Sequence, residues 1–333
     1  MSRDVVFVTG ATGFVGSHVV LKLLERGKRV RVFARRSSNL KNLKGLDVEM
    51  VYGDLTDAKS IREAMRGCRQ VYHVAADYRL WAPQPAAIYQ NNVQGTRNVL
   101  EAASQEKVEK IVYTSTVGAL GFSQDGSPST EQTAVTLEDM VGHYKRSKFL
   151  AEQEAMAAAK AGFPVVIVNP STPVGAMDIK PTPTGQMIVD FLNGRMPAYV
   201  ETGLNLIDVE DVAEGHLLAM ETGRVGEKYI LGNENLSLKE ILEMLSRISG
   251  LASPKIRLPR GIALGIACVS TGWGRLTGRT PRVPLEAVRM SKKKMYFDSS
   301  KAVKHLGLPQ RPVQDALQKA VVWFRQNGYV RRN

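Results

Sequence analysis

The 333-residue chain lacks the marks of several protein classes. Its only two cysteines, Cys68 and Cys268, have no CxxC or Cys/His spacing around them, so we expect neither a disulfide framework nor a metal site. Residues 261–274 form an apolar stretch without charge, but it is shorter than the about 20 apolar residues that cross a bilayer. We find no secretory leader ahead of the first strand pattern. These absences favour a cytoplasmic protein.

Acidic residues are scarce in the last quarter of the chain. Residues 251–333 contain 17 Lys and Arg against 3 Asp and Glu, whereas the preceding residues contain 28 against 29. The segment has few aromatic residues and no recognisable nucleic-acid-binding motif, so nucleic acid is not expected as a partner. A solvated basic face is the simplest interpretation, and an anionic membrane or an anionic substrate is the alternative.

The first half of the chain alternates short strand patterns with helical ones. Between the strand patterns, apolar residues recur at helical spacing among good helix formers. Such alternation predicts βαβ units and a parallel sheet with helices on both faces. We therefore predict an α/β fold of the doubly wound, Rossmann type. The strand patterns are residues 5–9, 29–34, 49–52, 70–75, 110–115 and 164–169.

A second, smaller domain is expected after residue 169, where Pro- and Gly-rich loops break the alternation. One more strand pattern, Lys228 to Leu231, is expected to return to the main sheet, so the two domains should interleave. We predict a dinucleotide-binding domain from residues 1–170 and about 203–232, and a C-terminal substrate domain from about 171–202 and 233–333.

A glycine-rich loop follows the first strand pattern. It reads TGATGFVGSH, with glycines at 10, 13 and 16 between a strand and a helix. Gly10 permits a tight turn, Gly13 permits close approach of a pyrophosphate, and Gly16 permits close packing of the helix on the sheet. The helix N-terminus would present N–H groups and its positive dipole to the phosphates. The sequence therefore predicts a dinucleotide site that also includes Thr12, Phe14 and Val15.

The end of the second strand bears on the choice of dinucleotide. An NAD site usually has an acidic residue about 20 residues beyond the glycines, whereas a 2′-phosphate requires cations. This strand ends RVFARRSSN, with Arg35 and Arg36 where the acid would be. A guanidinium can bind a phosphate through two hydrogen bonds. We expect NADP(H), with NAD(H) as the alternative if the arginines are simply exposed.

Further cofactor contacts are expected at the ends of the third and fourth strands. Asp54 could accept a hydrogen bond from the adenine amino group, or it could cap a helix, as Asp57 could also do. Small side chains at the end of the fourth strand would let the cofactor approach the carboxyl edge of the sheet, where such folds bind ligands. The residues expected here are Asp54, Leu55, Val74, Ala75 and Ala76.

The catalytic candidates are Tyr144 and Lys148 in HYKRSK. A spacing of four places them on one helix face, one turn apart. A free tyrosine has a pKa near 10, and a neighbouring ammonium together with an oxidised nicotinamide ring would lower it toward neutrality. The hydroxyl-bearing strand end Thr114-Ser115-Thr116 lies between this pair and the glycine loop in sequence. Together these features predict proton and hydride chemistry.

Four strings resemble the extended short-chain dehydrogenase/reductase family: TGATGFVGSH, NNVQGTRNVLEAA, VYTSTVGALG and YKRSK. The resemblance covers essentially the whole chain. Within that family the sequence is similar to dihydroflavonol-4-reductase-like enzymes, and most similar to the hopanoid-associated sugar epimerase group. HVAADYRLWA, GHYKRSKFLAE, VNPSTPVG and DIKPTPTG carry this narrower resemblance.

The resemblance implies a role for each site residue. Tyr144 would give or take the proton, and Lys148 would lower the tyrosine pKa and bind the ribose hydroxyls. Thr116 would orient the substrate oxygen, with Ser115 as the alternative because serine is commoner at that position. Asn92 would hold the active-site helix and the proton relay. Residues 170–174 would lie beside the nicotinamide, through Pro170, Thr172 and Val174.

Three functions stay open on these residues. A reductase would consume NADPH while it reduces a carbonyl, or would oxidise a secondary alcohol in reverse. A nucleotide-sugar epimerase would oxidise its substrate transiently and retain its cofactor. A non-catalytic dinucleotide sensor would have little reason to keep both Tyr144 and Lys148. The arginines at 35 and 36 favour the reductase.

The substrate is expected to be a small molecule or a lipid-linked sugar, and the resemblance suggests one related to hopanoids. Pocket residues are expected after the fourth strand and in the second domain. Residues 261–274 are predicted to be buried core. The alternative is that they and Lys292-Lys293-Lys294 rest peripherally on the anionic inner face of a membrane. A homodimer stays an alternative to a monomer. The candidate substrate residues are Asp77, Tyr78, Trp81, Thr116, Thr184 and Met187.

Overall fold

The computed structural model describes residues 5–79, 82, 84–123, 125–277, 285–291 and 294–331. Its centre is a sheet of seven parallel strands. All six strand patterns of the first half form strands of this sheet, with ends that shift by two residues at most. The strands of all the sheets in the described residues are β1 Val5–Thr9, β2 Arg29–Ala34, β3 Glu49–Tyr52, β4 Cys68–His73, β5 Lys110–Thr114, β6 Val165–Pro170, β7 Thr172–Val174, β8 Ala198–Tyr199, β9 Gly203–Asp208, β10 Lys228–Leu231, β11 Glu234–Ser237 and β12 Ile256–Arg257. The order in the seven-stranded sheet is β10-β6-β5-β4-β1-β2-β3.

Helices cover both faces of the sheet, as the predicted doubly wound fold requires. In β1, Val6 and Val8 pack on one face, whereas Val5 and Phe7 pack on the other. Because both faces are buried, the central strands are nearly continuous apolar runs. The helices are α1 Phe14–Glu25, α2 Ala58–Met65, α3 Ala86–Tyr89, α4 Gly95–Gln105, α5 Gly142–Lys160, α6 Pro183–Leu192, α7 Val209–Thr222, α8 Leu238–Ser249, α9 Arg260–Thr277, α10 Leu285–Met290, α11 Ser300–Leu306 and α12 Val313–Gln326; a π-helical turn, Gln90–Gln94, joins α3 to α4.

The strand order reverses at β1, which lies between β4 and β2. In open α/β sheets the crevice at the carboxyl ends of such strands is the usual ligand site. The glycine loop follows β1 there, and the residues that follow β4 and β5 open onto the same edge. This arrangement brings together segments that are far apart in sequence.

The second domain has its own core, formed largely by α6, α8 and α12. Lys228–Leu231 returns to the main sheet as expected, because β10 pairs in parallel with β6. Two parts of the predicted division differ in the structure. Residues 203–208, expected in the dinucleotide-binding domain, form β9, which pairs with β7 and β11 in a small sheet. Residues 300–306, expected in the substrate domain, form α11, which packs against α7 of the main domain.

The prediction that residues 261–274 are buried core is wrong for their larger side chains. These residues lie in α9, which buries Ala263 and Ala267 and leaves Ile262 and Trp273 more than half exposed. Ala263, Ala267 and the half-buried Leu264 pack toward α10, whereas Ile262, Ile266, Val269 and Trp273 are exposed. Among the described residues, no helix is long and apolar enough to cross a membrane.

Candidate active site

The glycine loop is held by contacts that exclude a side chain at two positions. Gly10 has a φ of +72°, and a Cβ there would come within 2.5 Å of the Ala75 backbone N. A Cβ at Gly16 would come within 2.2 Å of the Gly10 carbonyl oxygen. A Cβ at Gly13 would meet only that same oxygen, at 3.3 Å. Gly10 and Gly16 therefore fit the loop to the end of β4 and to α1, and Gly13 faces the more open side.

The first turn of α1 suits an anionic pyrophosphate. Gly13 occupies the N-cap and offers no side-chain cap, and the first turn contains no acidic residue. The N–H groups of Phe14 and Val15 lie at this N-terminus, where the helix dipole favours negative charge. The loop and α1 thus fit the diphosphate of a dinucleotide without repulsion from the chain's own carboxylates.

The ends of β2 and β3 present a cationic surface beside one carboxylate. Arg35 and Arg36 are both exposed, and the Arg36 guanidinium lies 5.2 Å from the centroid of the Tyr52 ring. Asp54 accepts hydrogen bonds from the Thr56 N–H, at 2.9 Å, and from its hydroxyl, at 2.7 Å. These bonds, with a smaller contribution from Arg35, lower the pKa of Asp54.

Of the two aspartates that could cap a helix, Asp57 is the one that does so. It accepts from the backbone N–H groups of Lys59 and Ser60 at the start of α2. Asp54 instead closes a local turn, so its carboxylate stays at the edge of the sheet. The neighbouring Leu55 is held by Asn98, whose side-chain amide donates to the Leu55 carbonyl at 2.8 Å.

Tyr144 lies in the first turn of α5, and its phenol is hydrogen-bonded to the side chain of Thr116. Burial raises the pKa of Tyr144 to about 12, and the bond to Thr116 only partly opposes that rise. The predicted lowering of this pKa depends on an oxidised nicotinamide ring as well as on Lys148, and it stays a prediction. The phenol is a neutral hydrogen-bond donor at ordinary pH.

Lys148 is buried one turn further along α5 and points to the end of β5. Its Nζ donates to the Tyr113 hydroxyl at 3.0 Å and to the Thr114 carbonyl at 2.7 Å. Burial lowers the pKa of Lys148 to about 7, although the charge of Glu152 opposes the change. The lysine is thus close to its own midpoint at neutral pH, and its hydrogen bonds go to β5.

The two candidate hydroxyls after β5 differ in their surroundings. Thr116 accepts from the Gly118 N–H at 3.0 Å and is bonded to the Tyr144 phenol. The Ser115 hydroxyl is buried and has no hydrogen-bond partner among the described residues. The geometry therefore pairs Thr116, rather than Ser115, with the tyrosine.

Asn92, in the π-helical turn, ties the loop after β4 to the active-site helix. Its side-chain amide donates to the Asp77 carbonyl at 3.0 Å and to the Ser147 hydroxyl at 2.9 Å. Its side-chain oxygen accepts from the Asp77 N–H at 2.7 Å. Because Ser147 lies between the two catalytic candidates on α5, Asn92 fixes the position of that helix relative to the sheet edge.

A profile described as the NAD dependent epimerase/dehydratase family matches residues 6–232. The chain belongs to this family. The match includes the glycine loop, the α5 pair and the return of β10 to the sheet. The protein is accordingly an NAD(P)-dependent enzyme of the extended short-chain dehydrogenase/reductase type.

Three relatives are similar over nearly their whole length. The chain is 50% identical to "Putative dihydroflavonol 4-reductase" of Synechocystis sp., covering 98% of this chain and 96% of the relative. It is 36% identical to "Sterol demethylase protein B" of Methylococcus capsulatus, over 97% and 99%. It is 30% identical to "Cinnamoyl-CoA reductase 1" of Petunia hybrida, over 99% and 95%. The protein is thus an oxidoreductase similar to the dihydroflavonol and cinnamoyl-CoA reductases among these relatives.

Two solved structures share the fold. The crystal structure of gox2253 superposes with a TM-score of 0.89 at 50% identity, covering 98% of this chain and 100% of that one. A nucleoside-diphosphate-sugar epimerase from Pseudomonas aeruginosa superposes with a TM-score of 0.82 at 27% identity, covering 99% and 100%. Both matches extend through the small C-terminal sheets.

The substrate residues expected in this family enzyme lie in different settings. Tyr78 donates to the Lys180 carbonyl at 3.1 Å, so the loop after β4 meets the second domain there. Asp77 is paired with Arg79 through a bond of 2.8 Å from the guanidinium Nε. Thr184 is half-buried near the start of α6, and Met187 packs against the core of the second domain. Trp81 lies outside the described residues.

The residues expected beside the nicotinamide lie where β6 passes into β7. Pro170 ends β6 and is buried, and Thr172, at the start of β7, is half-buried. Val174 is buried in the core of the second domain. Its side chain therefore packs within the protein, and of the three only Thr172 and Pro170 border the sheet edge.

Lys145 was not singled out from the sequence, although it directly follows Tyr144. It is 5% exposed, and its ammonium lies 5.3 Å from the centroid of the Phe122 ring. Its Cε and the Thr116 hydroxyl both lie within 3.6 Å of the point where a Gly118 Cβ would be. Burial lowers the pKa of Lys145 to about 8. The two lysines of HYKRSK indicated a functional lysine, but the sequence did not show which of them would be buried beside Thr116.

His73 is a second residue that the sequence did not indicate as structural. Its ring contacts the Thr9 hydroxyl at 2.7 Å and the Thr96 hydroxyl at 3.1 Å, which joins β1, β4 and α4. Complete burial lowers its pKa to about 3, so the ring stays neutral. Thr9 also accepts from the Ala75 N–H at 3.3 Å, beside the glycine loop.

Proposed function

We propose that the protein is an NADP(H)-dependent reductase of a carbonyl group on a sugar-like or hopanoid-linked substrate. The observation that carries the proposal is the Tyr144 phenol bonded to Thr116, with buried Lys148 one turn away. This group lies at the sheet edge that also holds the glycine loop. The names of the Synechocystis and Petunia relatives, both reductases, support the direction of reaction.

The roles of the residues follow from their protonation and placement. Bound NADPH supplies a hydride. The Thr116 hydroxyl and the Tyr144 phenol hold the substrate carbonyl oxygen by donated hydrogen bonds, and ordered donors of this kind are a large catalytic contribution. Because its pKa is about 12, Tyr144 begins protonated and can release its proton to the developing alkoxide. Lys148 would bind the ribose hydroxyls of the cofactor from its position on α5.

A preference for NADP(H) is part of the proposal. Arg35 and Arg36 are exposed at the end of β2, and stacking on Tyr52 restricts the Arg36 guanidinium. A restricted planar guanidinium loses less freedom when it binds a phosphate through two bonds. The carboxylate in this neighbourhood, Asp54, is occupied by Thr56. These features support recognition of a 2′-phosphate.

A lipid-like substrate is supported by one relative. The Methylococcus protein is named for action on a sterol, and it is similar over 97% of this chain. A polycyclic lipid of this kind would agree with the hopanoid resemblance. Thr184 and Tyr78 would line the site from the two domains, and Asp77 would hold the loop between them.

Sugar epimerisation is the second candidate, and the Pseudomonas aeruginosa structure favours it because its title names a nucleoside-diphosphate-sugar epimerase. The two functions differ in cofactor use. A reductase oxidises one NADPH for each substrate reduced, whereas an epimerase returns the hydride and shows no net consumption. The same tyrosine serves both reactions.

The test is NADPH oxidation with a panel of ribosyl, aldehyde, sterol-type ketone and nucleotide-sugar substrates. We expect a carbonyl substrate to drive stoichiometric oxidation, and we expect Tyr144→Phe to abolish turnover while NADPH still binds. Inversion of a sugar with no net NADPH consumption would replace the reductase with the epimerase. Undiminished turnover by Tyr144→Phe would contradict the mechanism.

A further inference from the structure

The outer face of α9 is apolar. Ile262, Ile266, Val269 and Trp273 are 55%, 48%, 75% and 65% exposed. Their spacing of four, three and four residues places them in one row, which we call the α9 stripe, about 16 Å long at 1.5 Å per residue. Scattered exposed apolar residues are ordinary, but a continuous row of four marks an interaction surface.

A helix at a protein–water surface usually buries its large apolar side chains, whereas α9 exposes four of them. Its inner face includes the small residues Ala263, Ala267 and Thr271, all 6% exposed or less, and the half-buried Leu264. Thr271 also accepts a hydrogen bond from the Leu285 N–H at 3.1 Å, which fixes α9 against α10. The larger apolar side chains are thus turned outward by a stable packing contact.

Positive charge flanks the α9 stripe in sequence. Residues 251–297 contain ten Lys and Arg and a single acid, Glu286. Lys255 and Arg260, just before and at the start of α9, are exposed, as are Arg289 and Lys294 beyond it. Lys292 and Lys293 are part of this count and lie outside the described residues. Between Gly261 and Gly274 the helix has no charge at all.

From this combination we infer that α9 docks the protein on an anionic membrane surface, lying in the plane of the interface. An apolar row with cationic flanks is the pattern of interfacial helices, in which apolar residues enter the acyl boundary and cations meet anionic headgroups. Trp273 suits the headgroup level, because tryptophan is favoured at that depth. The inference does not depend on the proposed function.

Charge distinguishes the membrane from other occupants. A second copy of this chain would bring two basic surfaces together across a symmetric contact, and like charges there are unfavourable. A nucleic acid would leave the four apolar side chains against phosphates. An anionic bilayer satisfies both parts of the surface at once.

The test is sedimentation of the full chain with phosphatidylcholine vesicles, with and without phosphatidylglycerol. We expect binding to the anionic vesicles at low salt, weaker binding at high salt, and little binding to phosphatidylcholine alone. The double variant Ile266→Gln, Val269→Gln should bind at least about tenfold more weakly, because two apolar side chains no longer enter the bilayer. Lys255→Glu with Arg260→Glu should weaken binding to a similar extent.

Matched controls change equally exposed residues elsewhere. Val322→Gln on α12, where the valine is 44% exposed, and Lys160→Glu at the end of α5 should leave vesicle binding unchanged. All variants should still bind NADPH, which shows that they are folded. Trp273 fluorescence should shift to the blue with anionic vesicles, and Trp273→Phe should remove that shift.

Three outcomes would overturn the inference. The first is no binding of the unaltered protein to anionic vesicles at low salt. The second is equal binding by the stripe variant and the Val322→Gln control. The third is a stable dimer that the stripe variant converts to a monomer while vesicles leave it unchanged, which would assign the α9 stripe to self-association.

Discussion

Replacing Lys148 with methionine should make the protein more stable at neutral pH while abolishing catalysis. Burial lowers the pKa of this lysine from its ordinary 10.5 to about 7. At about 1.4 kcal/mol for each tenfold change in proton affinity, that difference corresponds to roughly 5 kcal/mol of desolvation carried by the folded protein. Methionine fills a similar volume without the charge.

The gain is reduced by the bonds that Lys148 makes. Its Nζ donates to Tyr113 and Thr114, and each lost bond costs about 1 kcal/mol. We therefore expect Lys148→Met to raise the free energy of unfolding by about 2 to 3 kcal/mol at pH 7. Urea unfolding, followed by circular dichroism, measures the difference.

The pH dependence gives a sharper check. Between pH 7 and pH 10.5 the unfolded chain holds a proton on Lys148 that the folded protein lacks. The free energy of unfolding of the unaltered protein therefore rises with pH relative to the variant. From pH 7 to pH 9 the difference should change by roughly 2 kcal/mol in favour of the unaltered protein.

The control is Lys160→Met, at the exposed end of the same helix, for which we expect no such change. Other groups titrate in both proteins and cancel from the comparison. A stability difference between the unaltered protein and Lys148→Met that stays constant from pH 7 to pH 9 would refute the account of Lys148 as a buried, desolvated cation.

Three further predictions concern the cofactor loop, its selectivity and the active-site helix. Gly16→Ala should destabilise the protein by more than about 2 kcal/mol, because its Cβ would meet the Gly10 oxygen at 2.2 Å, whereas Gly265→Ala in open space should stabilise slightly; urea unfolding separates them. Arg36→Ala should raise the Kd for NADPH about tenfold and leave that for NADH nearly unchanged, measured by fluorescence titration. Asn92→Ala should lower kcat at least about tenfold with little change in the Kd for NADPH, since α5 loses its tie to the loop after β4. Equal losses for both cofactors, or an unaltered kcat, would contradict the last two.

The main sheet could be predicted because its strands are buried on both faces. Runs such as Val5–Thr9 and Val165–Pro170 are wholly buried, and a continuous apolar run between helical patterns has few other interpretations. The glycine loop was equally readable, because its spacing between strand and helix is specific. The sheet to which the short strand β9 belongs could not be predicted. Its apolar run is compatible with either sheet, and only its pairing with β7 and β11 places it in the small one.

The chemistry of the candidate site could be predicted by residue type but not by environment. Tyr144, Lys148 and Thr116 are identifiable from spacing, yet the high pKa of the tyrosine depends on burial, which no spacing reveals. Whether Lys145 faces water or Thr116 depends on one residue's position around the helix. For a related reason the sequence favoured burial over membrane contact for residues 261–274, because an apolar run indicates burial until its packing partner is known.

The way the chain crosses between the domains has a consequence for how substrate can enter. One residue, Ser171, separates β6 from β7; Asp208 ends β9 and caps α7; and two residues separate β10 from β11. These three covalent connections are each too short to stretch, and the chain crosses between the domains twice more, before and after α11. A single proteolytic cut cannot release the substrate domain, and the two domains cannot swing far apart. We therefore expect substrate to reach Tyr144 through motion of the loops around the site rather than through a hinge motion of the two domains.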